Sequence, residues 1–505
     1  MNCTTISLRT VRPSLAGAAL IILFLFFGST LSAQTAGTAA DRREPAAGET
    51  EDRIRQLEAQ VRAMQAELER IKQGLSAQVP AQTARDNDQV AGAASTKAEV
   101  AQPAAAKAET APRTQQKQIG LELASGARLI PYGTIYFNAF SNSNAVNNQD
   151  VPLFAVPTGQ GGTSASLRQT RLGLRLEGAK LGSARLGGVI EADFFGGLPS
   201  VGIGENFGIV RIRLAHARLD WEKTSVTVGQ DWMPFAPLNP VSIASAAIPQ
   251  MAAAGNNWAR IPLVRVDRKL NAGFTLTGAV LAPQTGDHPA SSFFLQTTSG
   301  SASRVPFLQS RVAFADKNWL GTKKSGSIGL SGHFGRSRVL TGPSNAKREV
   351  DSVGVALDWS FPLHARLTWA GEAFFGRDLG GFQAGIFQGL NTDFAYRSGT
   401  SVTAAGVRGI GTRGGWTQIG LTPDVMDDRW TLYASIGLDD PRDRDLTSVS
   451  NINFRTRNLA FAFNTIYKFT PQFWLGAEYR RFNTRYVNTG RRVSDHVNLG
   501  ATYSF

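Results

Sequence analysis

From Gly126 to Phe505 apolar and polar residues alternate with a period of two. The stretch Arg492–Phe505 is the clearest case. Val493, Asp495, Val497, Leu499, Ala501, Tyr503 and Phe505 share one face, and Ser494, His496, Asn498, Gly500, Thr502 and Ser504 share the other. Successive side chains of a strand point to opposite sides, so this is a strand greasy on one side and wet on the other. The pattern recurs. Ile135, Phe137 and Ala139 oppose Thr134, Tyr136 and Asn138; Leu172, Leu174 and Leu176 oppose Arg171, Gly173, Arg175 and Glu177. Leu186, Gly188, Ile190, Ala192 and Phe194 oppose Arg185, Gly187, Val189, Glu191 and Asp193. Val210, Ile212 and Leu214 oppose Arg211 and Arg213, and the parity then slips near Ala215, which predicts a bulge.

Sixteen strands are expected: 127–141, 166–178, 183–195, 207–221, 224–232, 258–268, 271–282, 304–316, 325–338, 348–361, 364–378, 412–422, 428–438, 452–468, 471–484 and 492–505. Short connections alternate with mostly longer ones, which is the signature of an outer-membrane barrel with tight turns on one rim and loops on the other. A membrane admits only helix bundles or closed barrels, because every backbone group must be paired. The expected fold class is therefore all-β, a 16-stranded antiparallel transmembrane β-barrel with an N-terminal short α-helical coiled coil. All nine Trp lie between Trp221 and Trp474. Trp221, Trp232, Trp319, Trp359, Trp416 and Trp430 fall at predicted strand ends, where Trp forms girdles at the lipid–water boundary.

Upstream, the pattern changes. Arg9 and Arg12 precede the apolar run Leu15–Phe27, and small residues follow to Ala33, which predicts a secretory signal peptide over 1–33. The run is too short for a span of roughly 20 residues. A leader, 34–48, precedes a helical segment, 49–75. There Ile54, Leu57, Val61, Met64, Leu68, Ile71 and Leu75 keep an a/d heptad spacing, which predicts a coiled coil; these a and d residues allow a dimer or a trimer. Residues 76–118 are rich in Ala, Gln, Thr, Pro and Lys and predict a flexible linker. The barrel domain takes 119–505.

The chain carries 53 Lys and Arg against 39 Asp and Glu, a net charge of +14, and most of the excess follows Gln118. No helix carries a Lys/Arg stripe, so nucleic acid is not an expected partner. If the apolar face meets lipid, the other face lines a water-filled lumen, as sixteen strands enclose a pore. The polar parity carries Arg171, Arg175, Arg185, Arg211, Arg213, Arg265 and Arg311, with Arg260 nearby. Glu177, Glu191, Asp193, Glu372 and Glu478 are candidates for the same wall. Arginine stays charged and grips carboxylate or phosphate with a planar fork, so a net basic waist selects anions. The competing role is pairing with lumen acids to scaffold the wall.

The loop Met233–Asn257 is long and apolar. It either folds into the barrel as a constriction or covers a subunit interface. Cys3 lies in the predicted signal peptide and is the chain's one cysteine, so the mature chain would lack a Cys-based metal site, disulfide or nucleophile. The five His are scattered, and no GxSxG or HExxH motif occurs. Catalytic residues, metals and cofactors are not expected.

Several short motifs accompany this architecture: Arg211-Ile-Arg213 before His216-Ala217, Gly229-Gln230-Asp231-Trp232 with Phe235, Gly255-Asn256 with Arg260-Ile-Pro262, Gly414-Gly415-Trp416 with Gln418, and Gly476-Ala-Glu478-Tyr479. Together with the segment order, they resemble the DcaP-like trimeric porins of Gram-negative outer membranes. The resemblance implies a homotrimer with periplasmic coiled coils that passes small anions such as dicarboxylates. It also implies that Phe505, with Tyr503, is a signal read by the barrel-assembly machinery. The long Gly-rich loop 379–411 departs from the pattern. A phosphate or other oxyanion channel, and a barrel-anchored structural or adhesive trimer, are the alternatives.

Overall fold

The computed structural model describes residues 120–505 apart from 124–125, 199–207, 286–295, 342–345, 399–400, 426–427 and 449–452. The expected signal peptide, leader, coiled coil and linker lie outside the described residues.

The described chain closes into a 16-strand antiparallel barrel. Its strands are β1 (Arg128–Asn142), β2 (Arg171–Leu181), β3 (Ala184–Asp193), β4 (Arg211–Asp220), β5 (Thr224–Trp232), β6 (Arg260–Lys269), β7 (Phe274–Leu281) and β8 (Phe307–Asp316). The second half comprises β9 (Gly326–Thr341), β10 (Ala346–His364), β11 (Leu367–Arg377), β12 (Gly411–Leu421), β13 (Trp430–Pro441), β14 (Arg455–Lys468), β15 (Phe473–Tyr486) and β16 (Gly490–Ser504). A short strand, Gly162–Ser166, extends the β2 position along β1. Closure is direct: β1 pairs with β16 from Thr134 opposite Ser504 to Asn142 opposite His496. Phe505 adds a mutual backbone pair with Gly133, at 3.1 and 3.2 Å.

The period-two reading thus finds all sixteen staves, with ends displaced by a few residues. Asn271–Gly273 is a 3-10 turn rather than the start of a strand. The region 379–411 is not a plain loop. It holds a 3-10 turn (Gly380–Phe382), a short helix (Ala384–Phe387) and a hairpin (Leu390–Ser398 with Ser401–Gly409). The bulge expected near Ala215 lies two residues earlier. Glu191 faces Leu214 and Ala192 faces Ile212, so Arg213 is the extra residue. Arg211 and Arg213, two residues apart on one strand, both reach Asp193.

The outer wall is apolar: Ile135, Phe137, Leu172, Leu174, Ile190, Ile212, Val228, Leu276, Val497 and Leu499 are all exposed. An aromatic belt circles much of the short-turn rim. Trp319 stacks on Phe361 at 4.8 Å, and Trp359 and Trp369 meet edge to face at 5.5 Å. Two tryptophans expected in such a girdle point elsewhere. Trp416 is buried and donates to Glu372, and Trp232 packs on Trp258 beneath Arg260. Both have a polar partner inside, which a lipid-facing indole would lack.

Candidate functional site: a loop collar beside an arginine wall

The apolar loop 233–257 folds into the barrel. Phe235, Ile243, Ala244, Ala247, Ala253 and Ala254 are almost wholly buried. Its backbone polar groups cannot stay unpaired at such depth, since each costs about 1–3 kcal/mol when orphaned. The strands supply the partners in order around the wall. Phe235 N–H donates to Gln309 on β8 (3.1 Å), Ala236 N–H to Ser331 on β9 (3.2 Å), and Leu238 N–H to Glu372 on β11 (2.6 Å). Val241 exchanges two bonds of 2.9 Å with the Gln418 amide on β12, and its carbonyl also accepts from Asn464 on β14 (3.0 Å). Ser242 donates to Glu478 on β15 (2.6 Å), whose carboxylate is ion-paired with Arg480. Asn138 on β1 reaches the Ile243 carbonyl (3.4 Å). Gln169, before β2, accepts from Ala246 and Ala247 (2.8 and 2.9 Å). The loop is a collar hung from inward side chains over most of the circumference.

Small residues allow that approach. Gly255 sits at φ +104 with the Gly415 backbone beside it, and a Cβ there would run into the Gly415 carbonyl. Ile243 seats over the terminal strand, where a Cβ on Gly500 would lie 2.7 Å from its Cγ1. The polar face of β16 therefore supports the collar: His496, Asn498 and Thr502 are all buried. Two further loops join it. Leu153 and Phe154 pack with Ala252, Ala253, Trp258 and Ile386. Asn458 on β14 clamps two of the three, donating to Leu153 O and Ala253 O at 2.9 Å each.

The arc from β1 to β6, to which the collar is also bonded, is rich in arginine. Arg211 holds Asp193 through both nitrogens of its fork (2.7 and 3.0 Å) and donates to Ala247 O (2.9 Å). Arg213 holds Glu191 (2.7 Å), Asp193 (2.9 Å) and Ala246 O (3.0 Å). Both arginines tie the collar to the wall. Arg168 grips Asp150 and lies over the Phe195 ring at 4.3 Å. Arg171 lies over Tyr136 at 5.6 Å, Arg175 over Tyr132 at 4.9 Å, and Arg260 over Trp232 at 4.2 Å. Ring faces help hold these guanidiniums in place.

Of the seven arginines on the polar parity and Arg260 nearby, Arg171, Arg175, Arg211, Arg213 and Arg260 gather on this arc. Arg265 is bound to Asp231 (2.9 Å) and Asp267 (3.1 Å), while Arg311 sits across the barrel, held by both oxygens of Asp358. Arg185 is exposed next to the β2–β3 turn. Pairing separates them further: the Arg213 side chain is 1% exposed, whereas that of Arg211 is 28% exposed. Parity missed Arg168 and the amide residues that hang the collar. A signal for the latter did exist. Asn138, Gln309, Gln418, Asn458 and Asn464 all fall on the inward parity, and an amide offers donor and acceptor together.

Among the described residues, no group of three or more His, Cys, Asp or Glu is placed to hold a metal. No family model and no curated protein matches the chain. Solved structures do. The outer membrane channel DcaP of Acinetobacter baumannii superposes with a TM-score of 0.56 at 19% identity, over 76% of this chain and 99% of that one. The anion-selective porin from Comamonas acidovorans gives 0.46 at 13% identity over 75% of this chain and all of that one. OmpF of Salmonella typhi, in complex with daunomycin, gives 0.47 at 13% over 77% of this chain and all of that one. The fold is DcaP-like.

Proposed function

We propose that this chain is an outer-membrane porin that passes small hydrophilic anions, dicarboxylate-like in character, by diffusion past the arginine arc. The supporting observation is the arc itself. Arg168, Arg171, Arg175, Arg211, Arg213, Arg260 and Arg265 share it with the carboxylates of Asp150, Glu177, Glu191, Asp193, Asp231 and Asp267. The surplus positive charge gives a field that draws anions in, and the partly exposed guanidiniums of Arg168 and Arg211, whose Nε and Nη2 groups are held by Asp150 and Asp193, then offer their remaining Nη1 groups to a carboxylate. The collar, bonded to Arg211 and Arg213, narrows the path beside the arc, which strengthens both effects. The apolar outer wall and aromatic belt suit a lipid bilayer.

In this reading the signal peptide directs export, the coiled coil stands in the periplasm, and the barrel works as a homotrimer. Phe505 is the address read by the barrel-assembly machinery. The short-turn rim faces the periplasm and the long-loop rim faces outside. No catalytic step is assigned.

The deciding measurement is the reversal potential of the full chain in a planar bilayer under a KCl gradient, followed by current block with succinate and with phosphate. Anion selectivity with stronger block by succinate is expected. Cation selectivity would sink the reading, and stronger block by phosphate would convert it to an oxyanion channel. Deleting Ser242–Ala253 should raise single-channel conductance; an unchanged value would remove the collar as the constriction.

A further inference from the structure

At the long-loop rim, three neighbouring strands carry a row of outward arginines. Arg457 on β14 stands opposite Arg485 on β15, and Arg485 stands opposite Arg491 on β16. All three are exposed and share the outward parity of Phe461, Tyr479 and Val497, which belong to the apolar wall below them. Like charges directly opposite in a sheet repel, so the row works against pairing of these strand ends. Two same-face pairs further down, Arg481 is answered by Asp495 at 3.2 Å. No ion pair answers Arg457, Arg485 or Arg491 among the described residues; Arg491 donates to the Asn483 amide oxygen at 2.9 Å. Beside the row opens a pocket of about 510 Å³ lined by Arg481, Arg491, Arg492 and Asn144.

We propose that this row and pocket are a docking site for the phosphates of a phosphorylated glycolipid in the outer leaflet. The proposal rests on the outer-membrane reading, which places this rim at the external headgroup level. Charge complementarity and height select the occupant. The arginines continue the lipid-facing rows rather than the lumen, so the anion they meet is carried by a lipid whose chains pack on the apolar wall. Guanidinium forks match phosphate oxygens two at a time. Three strands side by side spread the charges over roughly 10 Å, enough for a headgroup bearing more than one phosphate.

The test uses the full chain purified in detergent and offered bis-phosphorylated lipid A or its enzymatically dephosphorylated form, with bound lipid counted by native mass spectrometry. Wild-type protein should retain the phosphorylated lipid at least tenfold better. The variant Arg457→Gln, Arg485→Gln, Arg491→Gln should lose that preference while its bilayer conductance stays at the wild-type value. Equal retention of both lipids by wild type overturns the proposal, and that arm stands even if the triple variant fails to fold. Unchanged retention by a folded variant also overturns it, as does full displacement by inorganic phosphate at the lipid's own concentration. A channel that fails in the bilayer removes the porin reading separately, because lipid retention is measured without it.

Discussion

Arg213 and Arg485 are the same residue in opposite situations. Arg213 is sealed inside with two carboxylates and a loop carbonyl around its fork. Arg485 stands on the outer wall with an arginine on each neighbouring strand. The inner group is a structural joint: its charge is spent on Glu191 and Asp193, and its geometry pins the collar at Ala246. Among the described residues no carboxylate is ion-paired with the outer group. What an arginine does here is set by the carboxylates around it, and the alternation that puts one arginine inward and the other outward says nothing about those. Under the proposed anion reading, contact with solute falls to the partly exposed members, Arg168 and Arg211, and less to the most deeply placed one.

The largest expected effect follows from removing the inner joint. Arg213→Ala leaves Glu191 and Asp193 buried against each other and unpins Ala246. Breaking a buried pair in this way costs about 3–5 kcal/mol. Heat-dependent electrophoretic mobility of the barrel should show a clear drop in unfolding temperature, and an unshifted transition would show that Arg213 is not a joint. Next comes Asp193→Asn, which strips charge from Arg211 and Arg213 but keeps an acceptor. We expect a cost of about 1–3 kcal/mol together with a reversal potential moved toward stronger anion preference, as the wall gains net positive charge. A shift toward cations would contradict the assigned role of the arc.

Third is Asn458→Ala, which cuts both clamps at once, at Leu153 O and Ala253 O. Two orphaned carbonyls at the mouth cost about 1–3 kcal/mol, felt locally as loop release rather than as loss of the barrel. Current noise should rise while the mean unfolding temperature moves little. Quiet, wild-type traces would mean that packing of Leu153 and Phe154 alone holds the loops.

The barrel was legible because period two is a strong signal when one face is uniformly apolar. Ile135, Leu174 and Leu499 announce their side without any knowledge of neighbours. The burial of Met233–Asn257 was legible from its composition, as one of two open readings. Partners were not legible. The strand containing Arg211 showed its bulge, but the slip fell at Arg213, where a charged residue masks the change of side. Trp416 and Trp232 read as girdle because a strand-end position does not reveal a hydrogen-bond partner such as Glu372, 44 residues away in sequence. The hairpin Leu390–Ser398 with Ser401–Gly409 stayed hidden because it lies outside the barrel and has no continuous apolar face; its register also shifts twice near Phe394.

The smallest effect is the sharpest test of the contrast. Arg485→Gln removes the middle charge of the outer row and, among the described residues, no hydrogen bond to a carboxylate. Surface changes away from special features stay within about 0.5 kcal/mol, and here two like-charge contacts are relieved as well. In detergent at low salt the barrel should therefore unfold at the wild-type temperature or slightly above it. Any gain should fade as salt rises, since exposed charges are screened within about 10 Å at 0.1 M. A loss approaching that of Arg213→Ala would mean that the outer row is braced from within the chain after all, and the distinction between spent and unspent arginines would fall.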